Sequence, residues 1–149
     1  MGLFDAFDIS ASALTAERLR MDVTAENLAN AQTTRTASGG AYRRKEVVLE
    51  STGGEGTFGS QLSAAMGRAG GAPAGGVKAA AIVEDSTPGR KVYDPSHPDA
   101  NAQGYVTMPN VDTVTEMVDL IGSSRSYEAN VTALQDSKQM FSRTLDILR

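Results

Sequence analysis

The sequence predicts an α+β fold, with a long amphipathic helix at each end of the chain and short strands between them. Three observations predict it. Apolar residues recur at steps of three and four near the N-terminus, they do so again through the last forty residues, and the middle changes to short β-branched runs punctuated by glycine and proline. A chain of 149 residues has room for one ordinary domain, or for a small domain with extended attachments, and no internal repeat divides it. It is 40% hydrophobic but only 5% aromatic, with 15 glycines and no tryptophan, which is thin material for a large compact core. Much of the apolar surface is therefore expected to face partners.

In the N-terminal segment Phe4, Phe7, Ala11, Leu14, Arg18, Met21, Ala25 and Leu28 follow one another at alternating steps of three and four, a coiled-coil seam with one polar exception. One heptad row, Phe7, Leu14, Met21 and Leu28, is wholly apolar, and Glu17, Arg20, Asp22 and Glu26 occupy the polar face. The predicted helix has about 27 residues and would be roughly 40 Å long. At its end the stretch AENLANAQTT sets two poor helix formers, Asn27 and Asn30, three residues apart.

The C-terminal segment repeats the arrangement at greater length. Met117, Leu120, Tyr127, Val131, Leu134, Phe141, Leu145 and Leu148 follow steps of three and four, interrupted by Ser124 and Lys138. Thr113 with Glu116, after Pro109, reads as a capping box, so one helix is predicted from there to Arg149. A second row, Val111, Val114, Val118 and Ile121, makes the start of this helix apolar on more than one side. One partner helix cannot cover two stripes, and the chain offers only one other long helix, so packing among copies or homologous partners is favoured over a hidden core. Burying the five large residues of the heptad row Leu120, Tyr127, Leu134, Phe141 and Leu148 would contribute roughly 7 to 15 kcal/mol. A lone helix loses its conformational entropy without that gain, so free subunits are expected to have mobile ends.

Between the helices, strands are predicted over 41–50, 77–85, 89–94 and 104–108. Val77, Ala79, Ala81 and Val83 alternate as in a half-buried strand. The segment from Ser51 to Gly76 holds nine glycines and is expected to be a loop or flexible insertion, because such a composition cannot sustain a core. DPSHPDANAQG, residues 94–104, is dense in turn formers.

A formal charge of -4 argues against nucleic acid as the main ligand, and the basic spots Arg43-Arg44-Lys45 and Arg90-Lys91 read as solvated strand faces. With no cysteine there is no disulfide framework, thiolate metal site or cysteine nucleophile. The N-terminal MGLFDAFDIS has acidic residues and no basic flank, so a cleaved signal peptide is not expected, and Ala6 breaks the myristoylation pattern. No segment approaches the roughly 20 apolar residues of a membrane span.

Few motifs suggest chemistry. GEGTFG, residues 54–59, fits G-x-G-x-x-G, but Ser51 to Gly53 separate it from the preceding strand and no second βαβ half exists, so it reads as a glycine-rich loop. Asp99, Asn101, Gln103 and Gly104 match the opening of a calcium loop, yet Asn110 stands where a bidentate Glu is needed, and a polar turn is the better reading. His97 is the only histidine and lies between two prolines, which suits a turn rather than a catalyst. No nucleophile, base and orienting group assemble, so no enzyme is expected, and neither cofactor nor metal. The residues by themselves leave a self-associating structural protein, a coiled-coil adapter for a helix of another protein, and the discounted nucleotide module.

Two stretches carry a family resemblance. SALTAERLRMDVTAENLANAQTTRT closely resembles the N-terminal signature of flagellar axial proteins, the rod and hook group. VYDPSHPDANAQGYVTMPNVDTVTEMVDLIGSSRSYEANVTALQDSKQMF resembles the C-terminal half of a proximal-rod member of that group, in its turn, its GYV-x-x-PNV step and its EMVDLI-x-x-SRSYEANV helix. The likeness lapses between Ser51 and Gly76. It implies that the terminal helices, in 1–34 and 110–149, pair as a coiled-coil-like inner domain, with residues 35–109 as a small β-rich outer domain carrying the insertion 51–76. It further implies a structural subunit of the bacterial flagellar basal body, exported unfolded through the type III apparatus and stacked into a hollow rod across the periplasm. The implied partners are copies of itself, other proximal-rod proteins, the inner-membrane ring junction and the distal-rod protein, with no nucleic acid and no direct membrane insertion.

The expected assembly interface comprises Phe4, Phe7, Leu14, Met21, Asn27, Leu28 and Asn30 on the first helix. On the second it comprises Met117, Leu120, Tyr127, Val131, Leu134, Phe141, Leu145 and Leu148. Asn27 offers a two-sided amide and is expected to bond to backbone or side chains of a neighbouring helix, fixing register. Asn30 can also take a left-handed conformation at the helix end, which Asn tolerates better than most residues, and the plainer reading is that both asparagines fray the helix end.

Overall fold

The computed structural model describes residues 3–37, 39–52 and 75–147. Its elements are α1 (Leu3–Ala29), β1 (Lys45–Ser51), β2 (Val77–Glu84), β3 (Lys91–Tyr93), β4 (Tyr105–Thr107) and α2 (Thr113–Ile147). Two long helices and small antiparallel sheets make the class α+β, as the periodicities require. The four strands fall where β-branched runs were found, and α1 has the 27 residues that the seam predicted. The glycine-rich reading of 53–74, with GEGTFG inside it, and the end of the last helix at 148–149 lie outside the described residues.

No glycine or proline interrupts α1, and it ends through tight turns rather than a left-handed cap. Ala31 N–H donates to Leu28 O at 3.3 Å and Thr33 N–H to Asn30 O at 3.0 Å. Among the described residues no side-chain-bearing residue has a positive φ, so Asn30 does not take the left-handed conformation open to it. Its amide instead donates back to Glu26 O at 2.9 Å and accepts from the Thr33 hydroxyl at 3.1 Å, which holds the last turn closed.

The start of α2 also differs from the expected capping box. Asp112, not Thr113, is the cap: its carboxylate accepts from Val114 N–H at 3.0 Å and from the Thr115 hydroxyl at 3.3 Å, while its carbonyl accepts the first helical bond from Glu116 N–H. The carboxylate one residue earlier takes an orphan amide of the first turn, that of Val114, which frees Glu116 for another role.

β1 pairs with β2 in one two-stranded sheet, and β3 with β4 in another. β3 and β4 are antiparallel in the register Lys91↔Thr107, Val92↔Val106, Tyr93↔Tyr105. The alternation turns Val106 into the interior and leaves Tyr93 and Tyr105 exposed, their rings edge to face at 5.3 Å. The 94–104 turn between them is built from its own side chains. Asp94 Oδ1 accepts from Ser96, and Asn101 Oδ1 accepts from both Gln103 N–H and Tyr105 N–H at 2.9 Å. His97 Nδ1 accepts from Asp99 N–H, so the histidine is a turn residue as its sequence context suggests. β2 does not show the half-buried alternation expected of it. Ala79, Ala81 and Val83 are exposed.

The described residues fall into two compact units, one formed from 3–18, 49–52, 75–80 and 124–147 and the other from 19–37, 39–48 and 81–123. In the first, Val77 N–H donates to the Ser12 hydroxyl at 3.0 Å, which ties the start of β2 to α1, and Ala16 is buried. The second holds the buried Val23, Tyr42, Val47 and Val106 together with four buried polar side chains, Thr24, Asn27, Glu116 and Ser123.

Two glycines of this second unit are sterically required. Gly104 has φ +79°, and a Cβ there would stand 2.9 Å from the Tyr93 ring; at Gly89 it would meet Met108 O at 1.9 Å. Gly104→Ala is expected to lower the unfolding free energy by about 1–2 kcal/mol, and Gly89→Ala by more because backbone must move, both measurable from urea midpoints.

Candidate assembly site

The sequence pattern left unexplained why Asn27 interrupts an apolar seam. In the structure it is 1% exposed, and each hydrogen-bonding position of its amide is taken. Asn27 Nδ2 donates to Lys45 O at 2.8 Å and to Glu116 Oε2 at 3.0 Å. Its Oδ1 accepts from Lys45 N–H at 2.9 Å and from the Tyr42 hydroxyl at 2.9 Å. Against Lys45 the side-chain amide behaves as a peptide unit would, offering one donor and one acceptor to the first residue of β1. A leucine of similar size has nothing to offer these groups.

Glu116, also 1% exposed, stands one turn inside α2 with both oxygens engaged, Oε2 by Asn27 and Oε1 by Arg44 Nε. The remaining guanidinium nitrogens of Arg44 lie near Asp119 at 3.4 Å and Glu46 at 3.6 Å. The hydrogen bond to Glu116 raises the Arg44 pKa further, so this cation is permanent. Arg44 main-chain groups are engaged as well: its N–H donates to Asn110 Oδ1 at 2.8 Å, and its carbonyl accepts from Asp85 N–H at 2.8 Å. Nearby, the Lys45 ammonium meets Glu26 at 2.6 Å. The run Arg43-Arg44-Lys45 is thus no plain solvated face, since only Arg43 is left exposed.

The neighbouring helix that Asn27 reaches is α2 of the same chain, so the amide sets register inside the subunit. Sequence reasoning identified Asn27 but missed Tyr42, Arg44 and Glu116. A signal was present: Glu116 falls between two apolar rows of α2, a poor place for a charge that has no partner.

The other expected interface residues divide by exposure. Phe7, Leu14, Met21 and Leu28 are half-buried, whereas Ala11, Arg18 and Ala25 of the sister row are exposed. Leu120, Tyr127, Val131 and Leu134 are half-buried, and Met117 and Phe141 are exposed. Asn30 is half-buried in its local bonds. The side chains of Phe4 and Leu145, and the whole of Leu148, lie outside the described residues. Val111 of the second row is half-buried, but the rest of that row and the adjoining Met117 are exposed: Val114 at 63%, Met117 at 45%, Val118 at 62% and Ile121 at 54%. These four stand at i, i+3, i+4 and i+7 and form one ridge.

The Asp99 carboxylate of the calcium-like turn is taken by the Thr34 hydroxyl at 2.8 Å and faces Arg35, and Asn101 Oδ1 is filled by amides. Among the described residues no three acidic, histidine or cysteine side chains converge, and no helix is long and apolar enough to cross a membrane.

Comparison with known proteins gives this surface a context. The family model described as flagella basal body rod protein matches residues 7–35, and the one described as flagellar basal body rod FlgEFG protein C-terminal matches 102–147. The chain is 50% identical to the flagellar basal-body rod protein FlgC of Bacillus subtilis, 44% to that of Salmonella typhimurium and 41% to that of Borreliella burgdorferi. These alignments cover 99 to 100% of this chain and 98 to 99% of the relatives. These matches place the chain among the structural components of the flagellar basal-body rod, a family that is not one of enzymes. The chain belongs to the FlgC family of flagellar basal-body rod proteins.

Asn27→Leu strands the Lys45 peptide groups and the Tyr42 hydroxyl, and is expected to cost about 2–4 kcal/mol in urea unfolding. A double-mutant cycle of Asn27→Ala with Glu116→Ala should give a coupling of about 1–3 kcal/mol. Burial first, then the Glu26 carboxylate, raises the Tyr42 pKa above 10.0, while Lys45 acts the other way. A raised value stabilises the fold below the ordinary tyrosine pKa, and that contribution disappears as pH climbs through the folded value. The stability gap between the native chain and Tyr42→Phe should therefore close at alkaline pH, in denaturation series run from pH 8 to about 11.

Proposed function

We propose that the chain is a subunit of the proximal rod, which assembles with copies of itself and with other rod proteins into a hollow helical shaft that also serves as an export channel. The observation that carries this reading is the α2 ridge. Four large apolar residues on one helix face, 45 to 63% exposed, have no use in a monomer and are the ordinary mark of an interaction surface. Residues 1–34 and 110–149 supply the helical inner domain, in which the terminal helices pair in coiled-coil fashion, and 35–109 supply a small outer domain. The half-buried row Phe7, Leu14, Met21 and Leu28 and its counterparts on α2 contribute the rest of the helical contacts. Assembly across the periplasm brings the chain against the inner-membrane ring junction and the distal-rod protein, after passage through the type III export apparatus. Family membership and full-length similarity to FlgC proteins support the same reading.

Val118→Glu tests it. An exposed position tolerates the change in the monomer, so unfolding is expected to shift by no more than about 0.5 kcal/mol. Incorporation into isolated basal bodies, and swimming in soft agar, should be lost. Intact rods and normal swimming with this variant would remove the ridge from assembly.

A further inference from the structure

The ridge needs a receiving surface, and the chain carries a matching one. We infer that the exposed ridge of α2 seats antiparallel on the exposed face of α1 in a second copy of this chain. The inference rests on the rod reading above and names the surface that completes it.

On α2 the residues Val118, Ile121 and Arg125 are exposed and advance by three and then four positions. On α1 the exposed Asp22, Ala25 and Ala29 advance by the same steps. Each set spans seven positions, so with the helices antiparallel Val118 opposes Ala29, Arg125 opposes Asp22, and Ile121 falls one residue, about 1.5 Å along the axis, from level with Ala25. Two bulky residues meet two small ones, which lets the helix axes approach to about 8 Å, and the third pair joins opposite charges. A parallel arrangement would press the Asp22 carboxylate onto Val118 and leave Arg125 over Ala29, desolvating a charge without compensation. Charge therefore selects the orientation.

The heptad pattern of α1 calls independently for a helix at this place. One row of the seam is half-buried while Ala11, Arg18 and Ala25 of the other stay exposed, so the single chain fills only one side of it. The contact joins two different faces, and each subunit owns both. Such a heterologous contact does not pair off as a two-fold dimer does but runs from subunit to subunit, around a ring or, where the rotation does not close, along an open helical array.

The chain contains no cysteine, which makes the test clean. Full-length Ala25→Cys and Ile121→Cys chains are co-expressed in cells lacking the native one, and isolated basal bodies are oxidised. A disulfide forms only where Cα atoms come within about 7 Å. The mixture should yield a cross-linked dimer, neither variant alone should yield one, and a chain with both substitutions should yield a ladder beyond the dimer. Normal basal bodies without dimer from the mixture, or dimers from one variant alone, would overturn the contact while leaving the rod reading standing. Absence of the native chain from basal bodies would defeat the rod reading instead. Should the cysteines disturb assembly, charge reversal gives a second readout. Asp22→Arg or Arg125→Asp alone should reduce incorporation and the pair together restore it, whereas single reversals without effect would overturn the pairing.

Discussion

One amide holds three segments of this chain together. Asn27 is the place where the end of α1, the start of β1 and the first turn of α2 meet, and it meets each with hydrogen bonds rather than with apolar area. Glu116 can be buried only because Asn27 and Arg44 occupy its two oxygens, and Arg44 can lie along α2 only because Glu116 accepts it. Asn110 and Asp85 then attach to the main chain of Arg44, so the polar cluster also fixes the approach to α2 and the end of β2. A buried ionic group of this kind adds little net stability over a well-packed apolar one. Its contribution is geometric, since amide and carboxylate accept partners from few directions and a helix shifted by one residue would satisfy none of them.

The buried and exposed residues of this unit invert the usual preference. Its most deeply buried side chains are a glutamate and an asparagine, while valine, methionine and isoleucine line the outside of α2. Interior apolar material is scarce, so polar contacts set much of the shape of this unit while large apolar residues stay on its surface. That division suits a part that must be definite in form yet adhesive.

The turns between the strands show the same economy. The 94–104 segment is closed by Asp94, Asn101 and the glycine at 104, each acting within a few residues. Features that imitate function in the sequence, a calcium-like spacing and a lone histidine, become turn geometry once their bonds are seen.

Sequence periodicity alone determined the two long helices, the four strands and the apolar rows, because helix and strand periods depend on residues a few positions apart. The family signatures at both ends were equally legible. Tertiary structure decided which rows are covered, that β2 stays exposed on both faces, that Asp112 rather than Thr113 caps α2, and that Asn27 works inside the subunit. A period states which residues share a face and says nothing of what that face meets. The partners of Asn27 lie 15, 18 and 89 residues away, beyond the reach of any local pattern.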